Sequence, residues 1–324
     1  MNDMARLPEP ALSIGVDLGG TQVRAALVDA SGRLLARAAE KTDKTGGPQA
    51  VVQQILKLIA QVSAGADMAV IPAIGISAPG PLDSLAGVIL DIPTLPGWIN
   101  VPIRDWVSQA LGKPVSLTND GVAAAIGEWK FGAGRGYSDF VYVTVSTGIG
   151  GGVISDGRVL HGRRQLAGHI GHMTILPDGE FCTCGNQGCW EAQASGTALG
   201  KYAREQAKRS PASLLSRWGD AVGAKEVFEA ALAGDQLSID IVARQARLLG
   251  IGIVNLLHLY SPESVVVGGG VSHGFEQLEL GMQGYVREHA LPAFREVPIV
   301  RAQLGTDSGL IGAAAIGVRW VENV

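Results

Sequence analysis

LSIGVDLGGTQVRAALVDASGRLLARAAEKT, residues 12–42, sets the frame for the whole chain. Three apolar runs are punctuated by Asp17-Leu18-Gly19-Gly20-Thr21 and by Asp29-Ala30-Ser31-Gly32, a pattern that predicts a three-stranded meander. A turn built from Gly and Thr exposes backbone N–H groups and a hydroxyl with no bulky side chain in the way, which suits phosphate oxygens. Taken alone, a Gly-Gly pair does no more than satisfy hairpin geometry. The plan recurs at residues 140–162, FVYVTVSTGIGGGVISDGRVLHG, where Ser146-Thr147-Gly148-Ile149-Gly150-Gly151-Gly152 occupies the turn, and this repetition points to an internal duplication. A third set, Gly268-Gly269-Gly270, closes the buried strand expected over residues 263–270.

Between these turns the periodicity predicts helices over residues 48–63 and 121–130, and further ones near 196–207, 224–233, 236–259 and 274–289, with a last apolar helix from Ser308. AVIPAIGISAPG (69–80) reads as a buried strand running into a Pro/Gly loop, and Val115–Thr118 as another. Asn119 or Asp120 then caps the helix that follows, where a carboxylate is electrostatically favoured. An isolated Asn-Asp-Gly would be read as a helix cap and nothing more.

Composition excludes some function classes. The net charge is −4, with 26 basic residues spread among 30 acidic ones, so no basic stripe for nucleic acid is expected. No apolar run has the length of a membrane span and MNDMARLPEP lacks the order of a signal peptide, so a cytoplasmic protein is expected. Glycine is abundant, 45 of 324 residues against a usual ~7%, which fits backbone that must approach a ligand closely.

All three cysteines fall within FCTCGNQGCWE, residues 181–191. An odd number in so short a span favours metal over a disulfide. Cys182 and Cys184 can face one centre across a tight turn, and Gly185 and Gly188 let the chain curl to return Cys189. A tetrahedral zinc needs a fourth ligand; AGHIGHM just upstream offers His169 and His172, and His172 is taken as that ligand. The site has no open position and is therefore structural, fastening a loop that carries His169 and Glu191.

The succession Asp-x-Gly-Gly-Thr, Asn-Asp, Thr-Gly-x-Gly-Gly-Gly, Gly-x-x-Gly-His and C-x-C-G-x-x-G-C-x-E resembles the ROK family of bacterial sugar kinases and sugar-responsive repressors, from Ile14 to about Gly317. The resemblance implies the actin-like ATPase fold of hexokinases, an α/β architecture of two lobes with a cleft between them and a structural zinc loop. The expected lobes are residues 1–119 with about 309–324, and residues 120–308.

It also implies site roles. Zn²⁺ falls to His172, Cys182, Cys184 and Cys189; Asp120 is the catalytic base; Asn119, His172 and Glu191 hold sugar hydroxyls, with His169 beside them and Pro79-Gly80 and Leu95-Pro96-Gly97-Trp98 closing over the sugar. For ATP and Mg²⁺ the expected groups are Asp17, acting on the metal through water, the Gly19-Gly20-Thr21 turn, Thr147 and Gly148, with Gly268, Gly269 and Gly270 against the adenosine.

The family usually has glutamate where this chain has His169. An imidazole can donate where a carboxylate only accepts, and an acetamido carbonyl at C2 wants a donor, so the expected sugar is N-acetylglucosamine, phosphorylated at its 6-hydroxyl. Glucose, N-acetylmannosamine, fructose and allose stay open within the class, and Thr94 is placed at the sugar rim. A homodimer is implied. Sixteen residues before Asp17 are too few for the DNA-binding domain of the repressors, and a sugar sensor without turnover is disfavoured by Asp120 and the phosphate turns.

Overall fold

The structure is a computed structural model that describes residues 12–92 and 95–317. The expected contact of Thr94 lies outside the described residues, as do the ends of the expected first lobe. The chain divides into two compact units. One takes in the described residues up to Arg135, Arg158–Ala167 and those from Asp307 onward; the other is Gly136–Gly157 with Gly168–Thr306.

In the first unit the expected meander forms as Leu12–Leu18, Gln22–Asp29 and Leu34–Lys41. Its sheet runs in the order Leu34–Lys41, Gln22–Asp29, Leu12–Leu18, Ile74–Ala78, Val115–Asn119, antiparallel through the meander and parallel beyond it. Ile74–Ala78 is buried along its whole length, as a central parallel strand must be. The strand is shorter than the apolar run 69–80 from which it was read, because Pro72 has no N–H to give a sheet ladder and the stretch before it is a single 3₁₀ turn, Met68–Val70. Helix Gly47–Val62 lays Val51, Val52, Ile55, Leu58, Ile59 and Val62 into the core of this unit. Three strands of two to four residues, Leu82–Asp83, Val88–Asp91 and Ile99–Val101, make a small separate sheet, and helix Ile103–Leu111 follows. None of these four was read from the sequence.

Helix Ser308–Gly317 is buried on every side, consistent with its apolar sequence. It holds helix Asp120–Phe131 in the first unit, where the boundary expected at 119/120 put that helix in the second. The link is polar as well as apolar: Ser308 Oγ donates to Glu128 Oε1 at 2.8 Å, and the Ala133 N–H donates to Glu128 Oε2 at 2.9 Å. Glu128 is fully buried.

The second unit repeats the sheet plan. Hairpin Phe140–Val145 and Ile149–Ser155 is antiparallel, and Ser264–Gly268 and Ile299–Arg301 add parallel strands on the Phe140–Val145 side. Its core gathers Val141, Val143, Trp190, Leu199, Ile253 and Val265 around the long helix Gln236–Tyr260. Among the described residues no helix is long and apolar enough to cross a membrane.

Because removing the Glu128 carboxylate strands buried donors and opens a cavity, Glu128→Ala should destabilise the protein by about 2–4 kcal/mol, and Glu128→Gln by less. Urea unfolding monitored by circular dichroism would check this; an Ala variant that unfolds with the wild type would show that the buried link between the two helices contributes nothing net.

Candidate active site

Two strand registers gather the candidate residues of the first unit. Asp17 lies opposite Ser77 across the parallel pair, and Ala78 lies opposite Asn119 across the next. The carboxyl-terminal ends of three neighbouring strands therefore deliver Asp17, Ser77 and Asn119-Asp120 to one sheet edge, the usual place for a ligand in an open α/β sheet. Ser77 Oγ donates to Asp17 Oδ1 at 2.6 Å. Arg24, opposite Asp17 on the hairpin, donates from Nε to Asp17 Oδ2 at 3.0 Å and contacts the same oxygen with its terminal nitrogen. Neither Arg24 nor Ser77 was picked out from the sequence. Arg24 could have been found by counting the hairpin register, whereas Ser77 carried no signal beyond its place in an apolar strand.

The Gly19-Gly20-Thr21 turn is closed by the Gly19 N–H to Gln22 carbonyl bond at 2.9 Å and by Thr42 Oγ1 donating to the Gly19 carbonyl at 2.7 Å, leaving Thr21 exposed. Asn119 is the N-cap of the helix: its Oδ1 accepts from the Gly121 N–H at 3.0 Å, and Asp120 Oδ1 accepts from the same N–H at 2.8 Å. Asp120 has substantial surface open to solvent, yet protein surrounds it closely. That surrounding protein pushes its carboxyl up to about 6, the negative charge of Asp17 adds to the rise, and the Gly121 N–H opposes it. Pro79 and Gly80 follow the end of strand Ile74–Ala78, half-buried. In the stretch 95–98 only Pro96 and Gly97 are exposed, since Leu95 and Trp98 are packed in the first unit's core. The large side chains of this stretch therefore serve the core, and Pro96 and Gly97 lie at the surface.

In the second unit, Thr147 is exposed at the turn of its hairpin. The turn is fixed by Glu191, whose Oε2 accepts from the Ile149 N–H at 2.9 Å. A side chain at Gly148 would run into that carboxylate, so the glycine is required by the contact. Gly268 is buried against the Tyr142 ring and hydroxyl, Gly269 adopts φ 83°, and Gly270 is exposed. Gly269 is half-buried, its carbonyl accepting from the Ser272 N–H at 3.0 Å and from Ser272 Oγ at 2.7 Å, while Gly268 makes room for a packed tyrosine.

The ligating atoms of His172, Cys182, Cys184 and Cys189 all lie within 4.8 Å of one another. His172 Nδ1 is 3.7 Å from Cys182 Sγ, and Cys184 Sγ is 3.6 Å from Cys189 Sγ. Zinc–sulfur bonds of about 2.3 Å in a tetrahedron put ligands about 3.7 Å apart, so this donor set fits zinc. The fold of the loop follows from its glycines: Gly185 and Gly188 take φ 92° and 79°, which L side chains resist, and at Gly188 a Cβ would strike the Leu176 carbonyl. Without a cation the buried Cys189 thiol is pushed up to about 11 by burial. His169 is exposed, its ring centroid 6.2 Å from that of His172, and desolvation by the protein around it lowers its pKa from the usual histidine value. Two residues beyond Cys189, Glu191 opens helix Trp190–Ala194, which is anchored by Trp190 Nε1 donating to the Leu248 carbonyl at 3.0 Å.

A model of the ROK family matches residues 13–319. The chain belongs to the ROK family. It is 37% identical to a glucokinase of Thermotoga maritima over 94% of this chain and 96% of that one. It is 34% identical to an N-acetylmannosamine kinase of Yersinia pseudotuberculosis over 93% and 96%. Among solved structures, a ROK family glucokinase from Streptomyces griseus in complex with glucose and AMPPNP superposes with a TM-score of 0.84 at 36% identity, covering 95% of this chain and 99% of that one. The mixed α/β architecture of this ROK protein is the actin-like ATPase fold.

Purified protein should carry about one zinc per chain by elemental analysis, and Cys189→Ser should lose most of it. Full retention of zinc by that variant would remove Cys189 from the ligand set.

Proposed function

We propose that this ROK protein transfers the γ-phosphoryl group of ATP to the 6-hydroxyl of a hexose, with N-acetylglucosamine as the preferred sugar. The observation that carries the reading is the Asp120 carboxyl, held at the end of a strand beside Asp17 with its pKa pushed up to about 6. A carboxylate of that basicity is ionised at neutral pH and is a better proton acceptor than an ordinary aspartate. Phosphoryl transfer asks for positioning, charge neutralisation and a group to take the hydroxyl proton, and Asp120 supplies the last.

The remaining roles follow the chemistry of each group. Asn119, Pro79 and Gly80 of the first unit are assigned to the sugar, as are His172 and Glu191 of the second. Thr21 and the Gly20 backbone are assigned to phosphate oxygens, with Gly19 shaping their turn; Thr147 and Gly148 have the same role, and the Gly268-Gly269-Gly270 segment is assigned to the adenosine. Bound Mg²⁺ supplies charge neutralisation on the phosphates. Asp17, fixed by Ser77 and Arg24, is the group that would hold it, through water. The zinc cluster fixes the start of helix Trp190–Ala194 and so the orientation of Glu191. A cytoplasmic homodimer completes the reading.

For the sugar, His169 is the discriminating residue. Its imidazole can donate to an acetamido carbonyl where a carboxylate cannot, and the similarity to an N-acetylmannosamine kinase supports an N-acetylated substrate. The similarity to proteins named glucokinase favours glucose as the second reading.

Coupled ADP release with glucose, N-acetylglucosamine, N-acetylmannosamine, mannose and fructose tests both readings. N-acetylglucosamine should give the highest kcat/KM, and His169→Glu should move the preference toward glucose; an unchanged preference would exclude the donor argument. Silence with every sugar would instead indicate a sensor that binds without turnover. Asp120→Asn should lower kcat by about 10²–10⁴-fold while sugar binding persists. In the wild type, kcat/KM should fall about tenfold per pH unit below pH 6; a limb appearing only near pH 4 would mean that an ordinary carboxylate limits the reaction.

A further inference from the structure

We propose that Arg24 is a positioning residue: by clamping Asp17 against Ser77 and neutralising it, Arg24 keeps Asp120 available as a proton acceptor. This inference rests on the reading of Asp120 given above. The geometry is specific. Arg24 reaches Asp17 Oδ2 with two of its nitrogens while Ser77 holds Oδ1, so the carboxylate is fixed at both ends. A planar guanidinium makes such a forked contact and an ammonium does not. Arg24 is itself held from the other side, with its remaining terminal nitrogen 3.7 Å from Asp307, and Arg37 lies 3.2 Å from that same carboxylate. At side-chain exposures of 18% and 12%, Arg24 and Asp17 are shielded from the solvent that weakens surface pairs.

The charges around Asp17 can be enumerated by element. Strand Gln22–Asp29 contributes Arg24, strand Leu34–Lys41 contributes Arg37, and Asp307 precedes helix Ser308–Gly317, which has no ionisable side chain. Strand Ile74–Ala78 contributes only the neutral Ser77, Lys57 of helix Gly47–Val62 is taken by Glu40, and helix Asp120–Phe131 begins with Asp120 itself. Three carboxylates thus face two guanidinium groups. Loss of Arg24 would leave the Asp17 charge uncompensated beside Asp120, and like charge favours the protonated, catalytically useless form of the base.

The test compares wild type, Arg24→Met and Arg24→Lys by ¹³C NMR titration of aspartate carboxyls, with Asp120→Asn assigning the resonance, alongside pH profiles of kcat/KM. In Arg24→Met the Asp120 midpoint should rise by about half a pH unit or more. The acid limb of kcat/KM should move with it, making the loss about twofold greater at pH 6 than at pH 8 for a rise of half a unit. Arg24→Lys should restore most of the midpoint. A folded Arg24→Met with a wild-type midpoint would overturn the proposal, as would a lysine variant shifted as far as the methionine one. If Arg24→Met does not fold, Asp307→Asn serves instead: releasing Arg24 to Asp17 should lower the Asp120 midpoint, and an unmoved midpoint overturns the proposal. The titration needs no turnover, so a shifted midpoint in a protein inactive on every sugar would sink the kinase reading and leave the clamp, while turnover with no shift would do the reverse.

Discussion

The candidate site depends first on the register of three strands. Parallel pairing sets Asp17 opposite Ser77 and Ala78 opposite Asn119, and a slip of one residue would turn each of these side chains to the other face of the sheet. The register is held by burial: Ile14 and Val16 on one strand and Ile74 and Ile76 opposite them, all on one face of the sheet, are fully or almost fully buried. A hydrophobic core that tolerates no slippage is therefore what fixes the spacing of two carboxylates. Helix Ser308–Gly317 seals this arrangement, because Ser308 ties it to Glu128 on the helix that Asp120 begins.

The second unit reaches comparable precision by other means. A loop rich in glycine, with two residues at positive φ, has little rigidity of its own. Four donors gathered within 4.8 Å provide the missing constraint, and Glu191 carries it onward by accepting from the Ile149 N–H. The loop and the glycine turn are thereby linked through a single carboxylate. Such a link explains why the turn has glycine at position 148, where any side chain would displace Glu191.

Much of this was legible in the sequence because it rests on local rules. Strand meanders, glycine turns, the Asn119 cap and the C-x-C-G-x-x-G-C spacing each state a backbone requirement within a few residues. What was missed is long-range or weak. Glu128 and Ser308 are 180 positions apart, and neither signals the other. Ser77 looks like one more small residue in an apolar strand until the register sets it against Asp17. The stretch Leu95–Trp98 was read for its loop residues, while its Leu and Trp turned out to serve the core, a distinction that depends on which way side chains point. The short strands between Leu82 and Val101 hold too few residues for any periodicity to show.

The electrostatics of Asp120 put activity and stability in opposition. Its folded pKa of about 6 exceeds the 3.8 of an unperturbed aspartate, so between these values the native chain binds more protons at this position than the unfolded one. Stability contributed by the group therefore falls as pH rises through that window, and above about pH 6 the folded state bears the full cost of an ionised Asp120. That ionised form is the one a proton acceptor needs. The partial solvent exposure of Asp120 moderates the cost, and the Gly121 N–H reduces it further by donating to the carboxylate. Arg24 acts on the same balance from the other side, since a compensated Asp17 repels Asp120 less. The sheet edge is thus a compromise: enough surrounding protein, with the charge of Asp17 added, to make Asp120 basic, and enough positive charge to let it ionise.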